Sequence, residues 1–138
     1  MDISLRYVTR NDWDMILSLR NEFYEFFYEQ KKPLEQNEHY EYMEKQLSNP
    51  KFHQWIIMSS NEDVGYARIL NNDIGIMVNK KFQNKGIASE ALQLVENEAK
   101  KLGIKKLIAL VKVNNESSKK IFLKNDYVLK MHWLEKQL

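Results

Sequence analysis

Cysteine is absent from the 138 residues, which excludes disulfides, thiolate metal ligands and a cysteine nucleophile together. Its absence also fits a reducing compartment, and a cytoplasmic location is the expectation. Histidine is scarce: His39, His53 and His132 are scattered, without the short spacing of a metal-binding helix, so no metal centre is expected. Four glycines and two prolines leave no material for a linker, and no internal repeat or low-complexity stretch is present. Long apolar runs are missing too. The longest, residues 55–58 and 107–111, fall far short of the ~20 residues of a membrane helix. The first six residues have no basic start followed by an apolar block, so no secretory signal is expected. Nor does one sign of charge dominate: 21 Lys+Arg against 19 Asp+Glu give +2, spread along the chain. A nucleic-acid binder concentrates a basic stripe. No nucleic-acid or membrane partner is expected.

What is present suffices for one core. With 43% hydrophobic and 12% aromatic residues, residues 1–138 read as a single domain. Residues 5–9 alternate as an opening strand. Asn11 or Asp12 caps a helix in which Trp13, Ile16, Leu17, Phe23 and Phe27 recur near helical spacing. A second helix carries Tyr40, Met43 and Leu47 on one face and ends before Pro50. Strands at 53–59, 64–70 and 74–78 follow, joined by polar turns as an antiparallel meander. Ala88, Leu92, Val95, Ala99 and Leu102 then mark one helix face, closed by Gly103. Residues 107–111 are apolar on both faces, as in a buried central strand. A short helix at 117–124 and a strand near 127–133 complete the order β-α-α-β-β-β-α-β-α-β. This is an α/β class, a mixed sheet with helices on its faces.

The stretch from Val78 to Ser89 carries the most chemistry: a strand enters a polar loop and then a long helix at Gly86. Free N–H groups at a helix N-terminus, with the helix dipole behind them, attract a phosphate or pyrophosphate. Gly86 allows close backbone approach, small Ala88 leaves room, and Lys80, Lys81 and Lys85 add positive charge. The same residues also read as an ordinary capped helix with a turn glycine.

Gln83-x-x-Gly86-x-Ala88 resembles the acyl-CoA pyrophosphate loop of the GNAT N-acetyltransferase superfamily. Asn115-x-x-Ser118-x-x-Ile121-Phe122-x-Lys124-x-Asp126-Tyr127 is similar to its second motif, and the element order matches almost end to end. The resemblance implies a GNAT fold: a mostly antiparallel sheet whose fourth and fifth strands, 74–78 and 107–113, are parallel and splay apart. Acetyl-CoA would be the cosubstrate, its pantetheine arm lying in that gap along Met77 and Val78. A backbone N–H near Val78 would polarise the thioester carbonyl. Gln83, Asn84, Lys85, Gly86, Ile87 and Ala88, helped by Ser89, would hold the pyrophosphate; Asn115 and Ser118 would meet the pantetheine side. The acceptor amine attacks directly, so no covalent nucleophile is needed. One departure has chemical weight. The family's tyrosine, general acid to the leaving thiolate, is Phe122 here, which packs beside sulfur but donates no proton. Tyr127, a water or no acid at all could serve instead, or the chain binds CoA without transferring acetyl.

For the acceptor, candidate bases are Asp73, Glu22, Glu38 and His39, each of which also reads as a surface charge or a helix cap. A narrower resemblance concerns Leu19-Arg20-Asn21, Glu38-His39-x-x-Tyr42 and Val64-Gly65-Tyr66-Ala67-Arg68. These look similar to a GNAT branch that acetylates the amino group of nucleotide-linked deoxy-sugars, as in pseudaminic-acid-type pathways. The pattern is shared loosely with GNATs acting on protein N-termini. It implies an acceptor pocket of Arg20, Asn21, Tyr42 and Arg68, with Asp73, His39 or Glu38 as catalytic base. The expected activity is therefore an acyltransferase moving acetyl to a small amine, with a protein N-terminus or a polyamine as the alternative acceptor. The aromatic run from Phe23 to Tyr28 is too dense for one buried helix face, so some rings should be exposed. The single strand expected after Tyr127 would leave an open sheet edge for a homodimer partner to cover.

Overall fold

Side-chain alternation divides the sheet into two faces, and each face takes its own pair of helices. The computed structural model describes residues 2–27 and 30–138. Strands β1 (Ile3–Tyr7), β2 (Phe52–Ser59), β3 (Glu62–Leu70) and β4 (Asp73–Val78) form an antiparallel sheet in that order. The three strands expected at 53–59, 64–70 and 74–78 are β2, β3 and β4, each starting one or two residues earlier. Two-residue turns join them. Ser60 and Asn61 both have positive φ (49° and 71°), the geometry whose twist matches that of the flanking strands. The register sets Trp55 opposite Ala67 and Ala67 opposite Ile76.

On one face Trp55, Ile57, Ala67, Ile69, Ile74 and Val78 pack against α3 (Ile87–Lys101) and α4 (Glu116–Lys124). The α3 stripe of Ile87, Ala91, Leu92, Val95 and Ala99 is buried, and each fully buried large aliphatic contributes about 1.5–3 kcal/mol. Gly103 closes α3 with φ 80°: its N–H donates to Lys100 O, and Ile104 N–H donates to Ala99 O. That closing turn swings Leu102 off the apolar face and into solvent. On the other face Ile56 and Tyr66 meet Trp13, Ile16, Leu19, Phe23 and Met43 of the segment holding α1 (Trp13–Glu22) and α2 (Gln36–Gln46).

Several expectations need correction. The first helix stops at Glu22 instead of running on to Phe27, because Tyr24–Phe26 form a 3-10 turn. That turn spreads the rings around the chain: Phe23 is buried and Tyr24, Phe26 and Phe27 are half-buried, so none of these four is exposed. Tyr28 lies outside the described residues. In α2 the buried positions are His39 and Met43, one turn apart; the helix ends at Gln46, and Leu47 is exposed.

The third correction concerns 107–113. A single parallel bridge joins Asp73 to Ile108, through Ile74 N–H to Ile108 O (2.9 Å) and Ile108 N–H to Asn72 O (2.7 Å). Beyond it the two segments separate. Leu107, Ala109 and Val111 pack on the α3 side, while Leu110 is 63% exposed, so the segment is covered on one face only. Residues 127–133 form no ladder among the described residues, and Val128, Leu129, Met131 and Trp133 are exposed.

Candidate active site

The separation of β4 from 107–113 opens one edge of β4 to a ligand. Ile74 N–H points to that edge, since it donates to Ile108, and Asn79 N–H points the other way, to Val64 O. Successive residues of a strand alternate in this direction. Ile76 and Val78 therefore present their amides to the gap, and Met77, in register with Tyr66, turns its own toward β3. Of the two residues expected along the pantetheine arm, Val78 offers its N–H and Met77 does not. Ile76 is the partner that the sequence reading missed; the strand phase would have found it.

Beyond Val78 the chain forms a 3-10 turn, Lys80–Phe82, held by the Asn79 side chain accepting from Lys81 N–H (3.2 Å). Gln83 sends its side-chain amide back to Val78 O (3.0 Å), which ties the loop to the end of β4. Asn84 and Gly86 take left-handed conformations (φ 62° and 79°), and α3 begins at once. The first bond into the helix is Glu90 N–H to Gly86 O. The N–H groups of Ile87, Ala88 and Ser89 are therefore the orphan donors of a fifteen-residue helix, in a loop where Lys80, Lys81 and Lys85 are all exposed. This arrangement fits a pyrophosphate. Ser89 Oγ is engaged by Asn125 (2.8 Å), which joins the two helices of this face. Across the gap Asn115 caps α4, its Oδ1 accepting from Ser118 N–H (3.2 Å), and its amide nitrogen remains the group that can reach a ligand. Phe122 is 8% exposed and packs edge-on against Tyr127, at 5.0 Å between centroids. Burial and the neighbouring Glu96 keep the Tyr127 hydroxyl protonated well above the usual phenol range.

The second half of the site is on the α1/α2 face. Arg68 in β3 stands opposite Gln54 in β2 and Gly75 in β4. A Cβ on Gly75 would sit 3.4 Å from Arg68 Cζ, so the glycine leaves the guanidinium room to lie over β4. Arg68 donates to Asp73 O (2.9 Å) and to Asp73 Oδ2 (3.2 Å). Tyr66, buried two residues away, donates to Gln54 Oε1 (2.7 Å). Arg20 reaches into this group from the last turn of α1. Its Cζ lies 4.9 Å from the Tyr42 ring centroid, and it has no carboxylate partner among the described residues. Burial, with Arg68 adding to it, pulls its pKa down. Tyr66, Gln54 and Gly75 stand beside Arg68 in this side-chain cluster and were not anticipated. Alternation alone puts Tyr66 on the same face as Arg68.

The remaining candidates separate by their hydrogen bonds. Asn21 uses its amide on the loop before α2, accepting from Leu34 N–H (2.7 Å) and donating to Leu34 O (3.0 Å), so it clamps a loop instead of facing the pocket. His39 is 0% exposed with both ring nitrogens engaged, by Trp13 O and by Arg20. Burial and Arg20 lower its pKa, and it is not free to take a proton from a bound amine. Glu38 is exposed on α2, and Glu22 is exposed at the end of α1. Asp73 sits at the closed end of the gap, beside its bridge to Ile108, and is tied to Arg68; Val78 lies five residues, about 16 Å, further along β4, so this candidate base belongs to the Arg68 side alone. A groove of 440 Å³ between β1–β2 and the far end of α3, lined by Tyr7, Phe52 and Glu98, lies outside this site. About 20 Å of helix separates it from Gly86. No group of three or more metal-ligating side chains occurs among the described residues, and no helix among them is long and apolar enough to cross a membrane.

Residues 2–128 match the acetyltransferase (GNAT) domain family. An uncharacterized protein of Methanocaldococcus jannaschii is 33% identical across 87% of this chain, and the match spans only 27% of that longer protein. A crystal structure of a domain from the same organism has a TM-score of 0.79 at 31% identity, covering 91% of this chain and 87% of that one. Spermidine N-acetyltransferase from Vibrio cholerae, solved with CoA and spermine, superposes with a TM-score of 0.86 at 18% identity, covering 99% of this chain and 86% of that one. At that identity the likeness shows the fold alone.

Proposed function

The chain belongs to the GNAT acetyltransferase family, and from that premise we propose that it moves acetyl from acetyl-CoA directly to the primary amine of a nucleotide-linked amino-deoxy-sugar. The orphan N–H groups of Ile87, Ala88 and Ser89 receive the pyrophosphate, and the open edge of β4 receives the pantetheine arm. Acetyl-CoA brings the thioester. The Val78 N–H faces the developing oxyanion as the amine nitrogen bonds to the carbonyl carbon. The amine sheds its proton to water at the open edge of β4, while Asp73, five residues or about 16 Å along the strand from Val78, holds Arg68 in place. The C–S bond then breaks. A thiol of pKa ~8.5 leaves as thiolate without a proton donor at position 122.

One observation carries the choice of acceptor: Arg20 is half-buried beside Arg68 and has no carboxylate partner among the described residues. Such a pocket repels a polycation and attracts the phosphates of a sugar nucleotide. The test is thiol release from acetyl-CoA with UDP-linked 4-amino-sugars, free-N-terminus peptides and polyamines, with products identified by mass spectrometry. Acetylation of the amino-sugar is the expected result. Acetylation confined to polyamines or peptides overturns the acceptor, and bound acetyl-CoA with no thiol release for any amine overturns the enzyme.

A further inference from the structure

We propose that His39 is a positioning residue for the acceptor's anion: its neutral ring holds the Arg20 guanidinium against the face of Tyr42, where it meets the diphosphate of the acceptor. This rests on the preceding reading that the acceptor carries a nucleoside diphosphate.

The assignment follows from what each partner can do. His39 Nε2 lies 2.9 Å from Trp13 O, and a carbonyl only accepts, so Nε2 carries the hydrogen. Nδ1 is then a bare lone pair. It faces Arg20 Nη1 at 3.2 Å, and a guanidinium only donates. Both contacts are satisfied by one tautomer and by no other protonation state. An imidazolium would set N–H against N–H and cation against cation. The ring is 0% exposed, so water does not replace either partner. The charges facing it are Arg20 and Asp14, both from α1.

Arg20 is thereby fixed at two points, a hydrogen bond at one nitrogen and the Tyr42 ring across its plane. Neither neutralises it. The other guanidinium of the pocket, Arg68, is already matched by Asp73. Among the described residues the group therefore carries one excess positive charge in a pre-set orientation, with N–H donors left for phosphate oxygens. A histidine that served as base would need an exposed lone pair aimed at substrate; this one is aimed at an arginine.

The experiment titrates UDP calorimetrically into protein saturated with CoA, so that the Gly86 loop is filled, and measures steady-state kinetics with a UDP-linked 4-amino-sugar. His39→Phe is expected to weaken UDP binding and raise the acceptor KM about tenfold or more, with kcat within about twofold and the acetyl-CoA KM unchanged. His39→Gln, whose amide offers a donor and an acceptor, is expected to recover most of that loss. In an Arg20→Ala background His39→Phe should add nothing. A fall in kcat with UDP binding unchanged would make His39 a base and overturn the proposal. Equal UDP affinity in all variants would reduce the ring to core filling. On the wild-type protein, ring 15N shifts should report Nε2–H with a bare Nδ1; an Nδ1–H tautomer or an imidazolium at pH 7 overturns the assignment without any variant. Failure of the enzyme to acetylate the sugar, with UDP still bound through Arg20 and His39, sinks the acceptor amine and leaves the anion receptor standing.

Discussion

At the Gly86 loop positive charge is plural and wet: Lys80, Lys81 and Lys85 are exposed, and the donors that would meet a ligand are backbone N–H groups of α3. In the α1/α2 pocket it is single and half-buried, one guanidinium held by a histidine and a tyrosine ring. Both regions would attract anions, but by different physics. The loop relies on a helix terminus, which accepts any phosphate of the right reach. The pocket relies on one oriented side chain with part of its water removed, which discriminates by geometry. A common cosubstrate needs only the first. A chosen acceptor needs the second.

The largest expected effect separates the two regions outright. Gly86→Val places a β-branched side chain at φ 79°, a conformation that costs an L-residue about 1–2 kcal/mol, and sets its bulk against the orphan N–H groups. CoA affinity should fall about a hundredfold or more by calorimetry, while UDP binding at the Arg20 pocket is unchanged. Loss of both would mean that the two regions are one site.

Ionic strength gives the next effect. Exposed lysines are screened over the ~8 Å Debye length at physiological salt, and a half-buried guanidinium much less. Raising salt from 0.05 to 0.5 M, as an order-of-magnitude step, should weaken CoA binding about tenfold and UDP binding by only about two- to threefold. Equal slopes would show that Arg20 is as solvated as the lysines.

A smaller effect follows from His39 itself. Its folded pKa is depressed, so the folded state resists a proton that the unfolded chain takes at its ordinary 6.5. Stability is then full above pH 6.5 and falls as pH drops toward the folded value, by at most about 1.4 kcal/mol per pH unit. Thermal unfolding of His39→Gln should lack this loss. Asp12, held below its ordinary 3.8 by Arg6, adds a separate decline only at lower pH in both proteins.

How far the sequence foretold this contrast depends on the range of each interaction. The Gly86 loop is local: a strand, a polar turn, a left-handed glycine and a helix start lie within a dozen residues, and their geometry follows from their order. The meander is local too, fixed by two-residue turns at Asn61 and Asn71. The pocket is not. Motif resemblance groups Arg20, His39, Tyr42 and Arg68, yet their roles depend on contacts across the chain, such as that of His39 with Trp13 O, 26 residues away. Asn21 read as pocket because Leu19-Arg20-Asn21 resembles a branch motif, and its partner Leu34 lies in a loop the motif does not include. Residues 107–111 read as buried on both faces because composition does not say where a neighbouring strand is missing.

Phe122 tests the boundary between the regions with the smallest expected change. Its ring is 8% exposed, packed among the α3-face residues and edge-on to Tyr127. Phe122→Tyr adds the hydroxyl that the motif resemblance implies there, but in this packing the new O–H is buried, at a cost of about 1 kcal/mol without a partner. The melting temperature should fall by about 4 °C, and kcat should stay within about twofold, because thiolate departure at a pKa of ~8.5 does not wait for a proton. A rise in kcat without loss of stability would place the hydroxyl in the gap beside β4. Position 122 would then belong to the cosubstrate side of the site, and proton supply to the leaving thiolate would be what limits the proposed transfer.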